Sequence, residues 1–352
     1  MIKNDIIKKI LTSKKGISVE KFIDISLFSK EGYYKNLRSI GKSGDFTTAP
    51  EISQLFGEII ALYILDLWNR EFNKKINLIE LGPGNGTLML DILNTTKNNK
   101  KFQDNIRLSL VEKNNNLIEK QKIKLNAHNN INSFWYEDFK KIEPNTSIII
   151  ANEFFDCFSV RQFQKKDNKW HEKYINYDKI DKRFFFQNNE IKDNKTLSFL
   201  KQYQGKDILE FSESRQKYFN QICKYIYKNN GAIIIIDYGY YENNEGYTLQ
   251  SIFNHKSSNV LDNIGNQDIT SLVNFKNLIN IAKKNHLQIS NYSSQNEFLT
   301  TNGINKRKNM LINNCSPDDK KMIERSYQRL INENEMGFKF KVLIIKKINK
   351  NV

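Results

Sequence analysis

The segment INLIELGPGNGTLMLD, at residues 76–91, constrains the fold more than any other stretch of this 352-residue chain. Its first six residues predict a buried strand, and residues 86–94 have the apolar spacing of a helix. Three glycines separate the two patterns: Gly82, Gly84 and Gly86. Glycine at such a junction lets the backbone approach a ligand closely. We therefore expect a ligand site at the carboxyl end of this strand.

The same alternation of strand and helix continues along the chain. The patterns predict a helix over 115–125 and further strands over 107–112, 133–138, 146–153 and 231–239. Short apolar strands that alternate with helices are typical of a parallel sheet covered on both faces. The sequence thus predicts an α/β, Rossmann-like sheet with helices on both faces. Residues 286–290 and 338–347 are expected to pair as an antiparallel edge.

Residues before the first strand predict helices. Over 47–69 the sequence has a helical pattern in which Thr48 and Glu51 resemble a capping box, and Pro50 suits a first turn. We expect two regions: an N-terminal helical segment, 1–75, and a main domain, 76–352, with insertions at about 160–230 and 292–336.

The chain is strongly basic, with a net charge of +16 from 55 Lys and Arg and 39 Asp and Glu residues. Such a charge favours acidic partners, nucleic acid among them. The basic residues are scattered rather than clustered, however, which indicates a compositional bias of the surface. We expect no nucleic-acid partner on this ground.

Cysteine and histidine usage excludes two classes of protein. The three cysteines lie far apart, which is typical of a reducing compartment without disulfides. The four histidines lack zinc-ligand spacing, so no metal site is expected. No apolar run is long enough to span a membrane. The basic N-terminus contains Asp5 and Glu20, unlike a transit peptide, and we predict a cytoplasmic protein.

The glycine loop departs from both common phosphate-binding patterns. Its G-x-G-x-G spacing is not the dinucleotide G-x-G-x-x-G, and no Lys follows as in a phosphate loop. Glu112, at the end of the next strand, can accept the two hydroxyls of a ribose. Glu80, just before the loop, suits an ammonium group better than a phosphate. A ligand with a ribose, an ammonium group and no phosphate is S-adenosyl-L-methionine.

Several segments resemble the MidA family of class I S-adenosyl-L-methionine-dependent methyltransferases. The resemblance spans nearly the whole chain in order: GYY (32–34), GDFTTAPEISQLFGE (44–58), ELGPGNGTLMLDIL (80–93), VE with a following Q (111–112, 121), ANEFFDCFSVRQF (151–163), IDYG (236–239), GYTLQSIFNH (246–255), GNQDITSLVNF (265–275) and MGFKFKVL (336–343). Family members tend to have Arg at Asn85, a change expected to lose only a surface-facing charge. Family members also have other residues in place of CFS (157–159). This difference is expected to change the turn after the predicted catalytic strand and the fine geometry of the substrate site.

The resemblance implies roles for residues in the cofactor site. Asp138, after the short third strand, would accept from the adenine amine. The segment that contains Asp45 and Thr48 would fold over the cofactor, and the helix that follows would receive the carboxylate of its methionine portion.

It also implies an acceptor site in NEFFD, 152–156. Asn152 would orient the acceptor, and Glu153 with Asp156 would hold a guanidinium. Phe154 and Phe155 would either face the cofactor or belong to the core. Two residues of later segments are further candidates for the acceptor pocket: His255 and Asp268.

Three functions follow from these patterns. The family includes the mitochondrial protein arginine methyltransferase that assists assembly of respiratory complex I, so the resemblance implies arginine methylation of a complex I (NADH dehydrogenase) subunit. A nucleic-acid methyltransferase is the alternative that the basic charge favours. A non-catalytic assembly chaperone that uses the same fold is a third reading.

Overall fold

The computed structural model describes residues 2–37, 41, 47–128, 130–203, 205–242, 246–313 and 315–347. Contacts divide the chain into two compact units. The insertion unit comprises Met1–Leu37, Asp156–Lys217 and Glu242–Leu272, and the sheet unit comprises Arg38–Phe155, Tyr218–Tyr241 and Val273–Val352. The predicted boundary after residue 75 stays a prediction.

The strands, in chain order, are β1 Ile17–Ser18, β2 Ile76–Leu81, β3 Ile106–Val111, β4 Ser133–Tyr136, β5 Ser147–Asn152, β6 Arg161–Lys166, β7 Lys169–Asp178, β8 Arg183–Glu190, β9 Ile208–Phe211, β10 Gly231–Tyr240, β11 Gln250–Phe253, β12 Lys256–Ser258, β13 Asp268–Thr270, β14 Val273–Asn274, β15 Leu287–Ser294 and β16 Phe340–Lys347.

The α-helices are α1 Ile2–Leu11, α2 Val19–Phe28, α3 Tyr33–Asn36, α4 Ala49–Ile52, α5 Gln54–Leu67, α6 Thr87–Thr96, α7 Lys100–Gln103, α8 Asn115–Leu125, α9 Asn194–Leu200, α10 Glu213–Asn229, α11 Phe275–Lys284, α12 Gln295–Thr301, α13 Ile304–Ile312, α14 Pro317–Ile331 and α15 Met336–Lys339. Among the described residues, no helix combines the length and the apolar character that a membrane span requires.

The sheet unit is built on one mixed sheet with the strand order β15-β16-β10-β5-β2-β3-β4, and β14 pairs beside the end of β10. The strands from β10 to β4 are parallel. β16 runs antiparallel between β10 and β15. The predicted parallel core and the predicted antiparallel pair at its edge are therefore both confirmed. The fold is α/β and Rossmann-like, as the sequence predicts.

Burial on both faces explains why the central strands are almost entirely apolar. All six residues of β2 are buried. Ile76 and Leu78, on one face, belong to a core cluster that also contains residues of α5 and α6. Ile79 and Leu81, on the other face, are equally buried. The carboxyl ends of β2, β3 and β5 thus form a rigid edge on which a site can be built.

The single helix predicted over 47–69 is interrupted. Helix α4 has only four residues, and Ser53 then adopts an extended φ of −159° before α5 begins. The Ser53 hydroxyl accepts from the Leu55 N–H at 3.3 Å and so caps α5. The Thr48 side chain makes no capping hydrogen bond. The capping-box prediction is therefore wrong, because a second start signal lies inside the apolar pattern.

The insertion unit is mainly antiparallel. Its larger sheet has the order β1-β7-β6-β9, with β8 paired to β7 along eight residues. A smaller sheet has the order β12-β11-β13. Helices α1, α2, α3 and α9 complete the unit. Strands β6 to β9 lie within residues 160–230, where the sequence analysis expects an insertion.

Candidate functional site

The glycine loop joins β2 to α6 with three left-handed backbone conformations. The φ angles are +64° at Gly82, +54° at Gly84 and +75° at Gly86. A Cβ at Gly82 would lie 2.9 Å from the Phe154 ring, closer than carbon atoms tolerate. Glycine is therefore required here both by the backbone angles and by the close approach of an aromatic ring. The loop lies, as predicted, at the carboxyl end of β2.

Glu51 of α4 holds the side chains of this loop, a role that the sequence did not suggest. Its Oε1 atom accepts from the Asn85 amide at 3.2 Å and from the Thr87 hydroxyl. Lys124 donates to the same hydroxyl at 2.7 Å. Asn85 is thus half-buried and hydrogen-bonded. The expectation that this position only loses a surface-facing charge relative to the family stays a prediction. The Glu51 carboxylate had been assigned to a capping box that does not form.

Glu112 directly follows β3, whose last residue, Val111, lies opposite Leu81 of β2. The Gly82 N–H donates to the Val111 carbonyl at 3.0 Å, which ties the glycine loop to this strand end. The Glu112 Oε1 atom accepts from the N–H groups of Lys113 and Asn114 at 2.8 and 2.9 Å. These bonds fix one carboxylate oxygen at the sheet edge, beside the loop. The predicted ribose contact stays a prediction.

Glu80 and Asp91 form a buried carboxyl pair in the sheet unit. Their side chains are 3% and 7% exposed. Among the described contacts, neither Glu80 Oε2 nor Asp91 Oδ2 has a hydrogen-bond partner. Burial, together with the charge of Asp91, raises the pKa of Glu80 to about 8. Burial and the nearby Glu58 raise the pKa of Asp91 to about 7. An unpaired buried carboxyl oxygen is an acceptor suited to a cationic ligand group.

Glu80→Gln is expected to remove a pH dependence from the stability of the ligand-free protein. Between the ordinary pKa of 4.5 and about 8, the unfolded chain has lost a proton that folded Glu80 still holds. The free energy of unfolding of the wild type should therefore fall as pH rises in this window, by up to about 1.4 kcal/mol per unit from this group. Urea titrations from pH 5 to 9 measure it. The free energy of unfolding of the variant, relative to that of the wild type, should rise with pH up to about pH 8 and then stay constant. A difference between the two proteins that does not change with pH would contradict the assigned pKa of Glu80.

Asn152 ends β5, and Glu153 begins the turn that follows it. Glu153 has a left-handed φ of +50°, which is strained for a residue other than glycine. Its carboxylate accepts from the Ala49 N–H at 3.0 Å and from the Asn152 amide at 3.3 Å. The first N–H of α4 is therefore satisfied by Glu153. The predicted contact of this helix end with the methionine carboxylate stays a prediction.

Asp237, in the carboxyl-terminal half of β10, shapes this turn and was missed by the sequence reasoning. It is fully buried. Its Oδ2 atom accepts from the N–H groups of Phe154 and Phe155 at 3.2 and 2.8 Å. Its Oδ1 atom accepts from the Tyr238 N–H at 2.8 Å. The sequence does contain a signal for this role, because Asp237 directly follows five apolar residues of a predicted buried strand. A carboxylate in such a place is stable only when hydrogen bonds satisfy it.

The two phenylalanines of the turn have different environments. Phe155 is fully buried, and its ring packs edge-on against Phe219 at 5.7 Å between centroids. It is a core residue. Phe154 is half-buried and lies against Gly82 and, at 5.5 Å between centroids, against Tyr218. Phe154 therefore connects the turn after β5 with the glycine loop, which places its ring at the candidate site.

Other predicted site residues belong to the insertion unit. Burial raises the pKa of Asp156 to about 6, against the opposing charge of Arg215. Tyr34 donates to Asp268 Oδ1 at 2.8 Å. His255 lies at the exposed turn between β11 and β12, with a φ of +60°. Their roles in the acceptor site stay predictions.

The remaining candidates divide between described and undescribed residues. Asp138 accepts from the Lys140 N–H at 2.9 Å and caps a short 3₁₀ turn. Its predicted contact with adenine stays a prediction, as does the placement of Thr48 over the cofactor. Asp45 lies outside the described residues. In the part of the chain that the structure describes, no group of three or more His, Cys, Asp or Glu side chains is arranged to hold a metal ion.

Comparison with known proteins places this geometry in a family. A family model described as an S-adenosyl-L-methionine-dependent methyltransferase matches residues 59–293. The protein arginine methyltransferase NDUFAF7 homologue of Caenorhabditis elegans is 31% identical over 339 residues, which cover 88% of this chain and 78% of the relative. Human NDUFAF7 is 28% identical over 336 residues, which cover 88% and 75%.

A solved structure shares the fold. A Burkholderia thailandensis protein crystallised with S-adenosyl-homocysteine superimposes with a TM-score of 0.84 and 21% identity, covering 98% of this chain and 92% of that one.

The names of the relatives correct one prediction. The arginine methyltransferases of the worm, the zebrafish and the human are all named as mitochondrial proteins. The prediction of a cytoplasmic protein is therefore wrong. Asp5 and Glu20 argued only against a cleavable leader, and α1 and α2, on which they lie, are folded helices of the insertion unit.

Proposed function

This chain belongs to the S-adenosyl-L-methionine-dependent methyltransferase family matched above, and on that basis we propose that it methylates arginine side chains of a protein substrate. It is an enzyme, and S-adenosyl-L-methionine is its cofactor. The observation that carries the proposed acceptor is the worm relative, a protein arginine methyltransferase 31% identical over 88% of this chain. The site residues are consistent with this acceptor, as follows.

The residues at the sheet edge fit the cofactor. We propose that the methionine portion lies against the backbone of the loop of Gly82, Gly84 and Gly86, whose left-handed angles favour glycine. Glu112 is held where a ribose diol can donate to its carboxylate. Glu80 has an unpaired buried oxygen, and we propose that it accepts from the ammonium group.

Glu153 is the proposed arginine-binding residue. Arginine stays charged in proteins, with a pKa above about 12, and its delocalised charge makes each nitrogen a weak nucleophile. A carboxylate that binds one edge of the guanidinium draws the positive charge toward itself and fixes the orientation of the attacking nitrogen. Glu153 lies at the end of β5, next to the strand that carries the glycine loop. Its strained backbone keeps the carboxylate at this edge.

The chemistry requires little more than orientation and electrostatics. The bound cofactor supplies a methyl group on a positively charged sulfur. Glu153 would hold the guanidinium with one nitrogen directed at the methyl carbon; as the N–C bond forms, the methyl–sulfur bond would break and S-adenosyl-homocysteine would leave. The Glu153 carboxylate would balance the additional positive charge on the guanidinium until a proton passes to water. Asn152, whose buried Oδ1 atom has no partner among the described contacts, is the proposed second acceptor for a guanidinium N–H. Asp156 and His255 are retained as proposed helpers.

We further propose that the substrate is a subunit of respiratory complex I, as the family resemblance implies, and that methylation assists its assembly. A membrane partner is not part of the proposal.

The test uses the purified full chain, S-adenosyl-L-methionine labelled in its methyl group, and a lysate from a strain that lacks the protein. We expect label in one protease-sensitive band, and methylarginine after acid hydrolysis of that band. Parallel digestion with nuclease should leave the label in place. Label that nuclease removes would instead establish the nucleic-acid alternative. Cofactor binding without any transfer would favour the chaperone reading.

A further inference from the structure

Gln121, on α8, is a polar side chain with no exposed surface that contacts the glycine loop. Its Nε2 atom donates to the Gly84 carbonyl at 2.7 Å. Its Oε1 atom accepts from the indole N–H of Trp135, on β4, at 2.9 Å. The side chain also packs on the loop, since a Cβ at Gly86 would lie 3.3 Å from Gln121 Cγ. One buried amide thus links the loop to β4, which lies two places from β2 in the sheet.

The chemistry of the partners fixes the orientation of this amide. A carbonyl only accepts and an indole N–H only donates, so the Gln121 amide has one arrangement that satisfies both. A reversed amide would place its oxygen against the Gly84 carbonyl oxygen and its NH₂ group against the Trp135 N–H. A buried polar network with both ends satisfied is rigid, whereas a half-satisfied one costs stability.

The bond to Gly84 restrains the loop at its most flexible point. Gly84 has a φ of +54°, and glycine backbones have the widest choice of conformations. The Gly84 carbonyl and the Asn85 N–H belong to one planar peptide and point in opposite directions. Holding the carbonyl therefore also fixes the direction of the Asn85 N–H.

We propose that Gln121 is a positioning residue for the cofactor: by holding the Gly84 carbonyl, it keeps the glycine loop in the conformation that binds S-adenosyl-L-methionine. Trp135, in turn, holds Gln121 in the required orientation. The inference concerns the cofactor alone and does not depend on the identity of the methyl acceptor. Its failure would leave the proposed arginine methylation untouched.

The first test compares Gln121→Leu with Trp135→Phe. Calorimetric titration with S-adenosyl-homocysteine measures binding without turnover. Gln121→Leu leaves the Gly84 carbonyl unpaired, and we expect the dissociation constant to rise about 10-fold or more. Trp135→Phe removes the bond that orients the Gln121 amide but leaves the bond to Gly84 possible, so the dissociation constant should rise by a smaller amount, about threefold. Wild-type affinity in Gln121→Leu would overturn the proposal.

The second test uses Gln121→Glu, which nearly preserves the shape of the side chain. It measures how the dissociation constant depends on pH, which a purely structural role of Gln121 would leave unchanged. A buried carboxyl has a raised pKa. When protonated it can donate to the Gly84 carbonyl, and when ionised it can only repel it. We expect the ratio of variant to wild-type dissociation constants to rise about 10-fold from pH 6 to pH 8.5. The ratio removes the pH dependence that other groups give to both proteins. A ratio independent of pH would overturn the proposal.

Discussion

Replacing Gly84 with valine is expected to abolish detectable cofactor binding while the protein still folds. Gly84 has a φ of +54°, a conformation that costs a β-branched residue about 1–3 kcal/mol. Valine would relieve this strain by moving the peptide that Gln121 holds. The dissociation constant of S-adenosyl-homocysteine should rise about 100-fold or more, since each 1.4 kcal/mol is a factor of ten.

Gly303→Val is the matched control for backbone strain. Gly303 also belongs to the sheet unit and has a left-handed φ of +97°, but nothing lies within 4 Å of a Cβ built there. Both variants should lose comparable thermal stability, and only Gly84→Val should lose binding. If the two variants bind S-adenosyl-homocysteine equally well, the glycine loop is a turn with no special role in recognition.

Glu153→Gln is expected to lower the rate of methyl transfer by about 100-fold, the effect of removing one electrostatic contact from a transition state. The amide oxygen of glutamine can still accept from the Ala49 N–H, so α4 should keep its position. Only the negative charge is lost. Single-turnover transfer and cofactor affinity, measured on one preparation, separate chemistry from binding, and we expect the affinity to change little.

Glu119→Gln provides the matched charge control for this experiment. Glu119 is an exposed carboxylate on α8 that pairs with Lys122, and its replacement changes the net charge by the same amount. It should leave transfer unchanged. Near wild-type transfer by Glu153→Gln would make that carboxylate a structural cap for α4, and the acceptor site would then be sought around Asp268 and His255.

The elements of the parallel sheet were predictable because their signals are local. The helix predicted over 115–125 begins and ends at the observed residues of α8. β2 likewise matches the apolar run at 76–81. In both cases a run of fixed period is bounded by turn residues, so the sequence alone defines the element.

Roles that depend on contacts between distant segments were not predictable. Asp237 binds the turn after β5 because β10 lies beside β5 in the sheet, which no local pattern reveals. Glu51 looked like a capping residue because Thr48 precedes it by three positions, yet its partners are in the glycine loop. The insertion unit assembles three separate segments of the chain, and no local pattern reveals which segments contact one another.

The position of β16 determines when this protein can fold. Four consecutive residues of β16, Val342 to Ile345, have no exposed surface, and the strand fills the place between β10 and β15. During synthesis β10 is complete about a hundred residues before β16 leaves the ribosome, so its apolar edge must wait unpaired. Domains generally fold as units, and exposed strand edges of incomplete ones are prone to aggregate. The nascent chain is therefore expected to depend on chaperones until residue 347 has emerged.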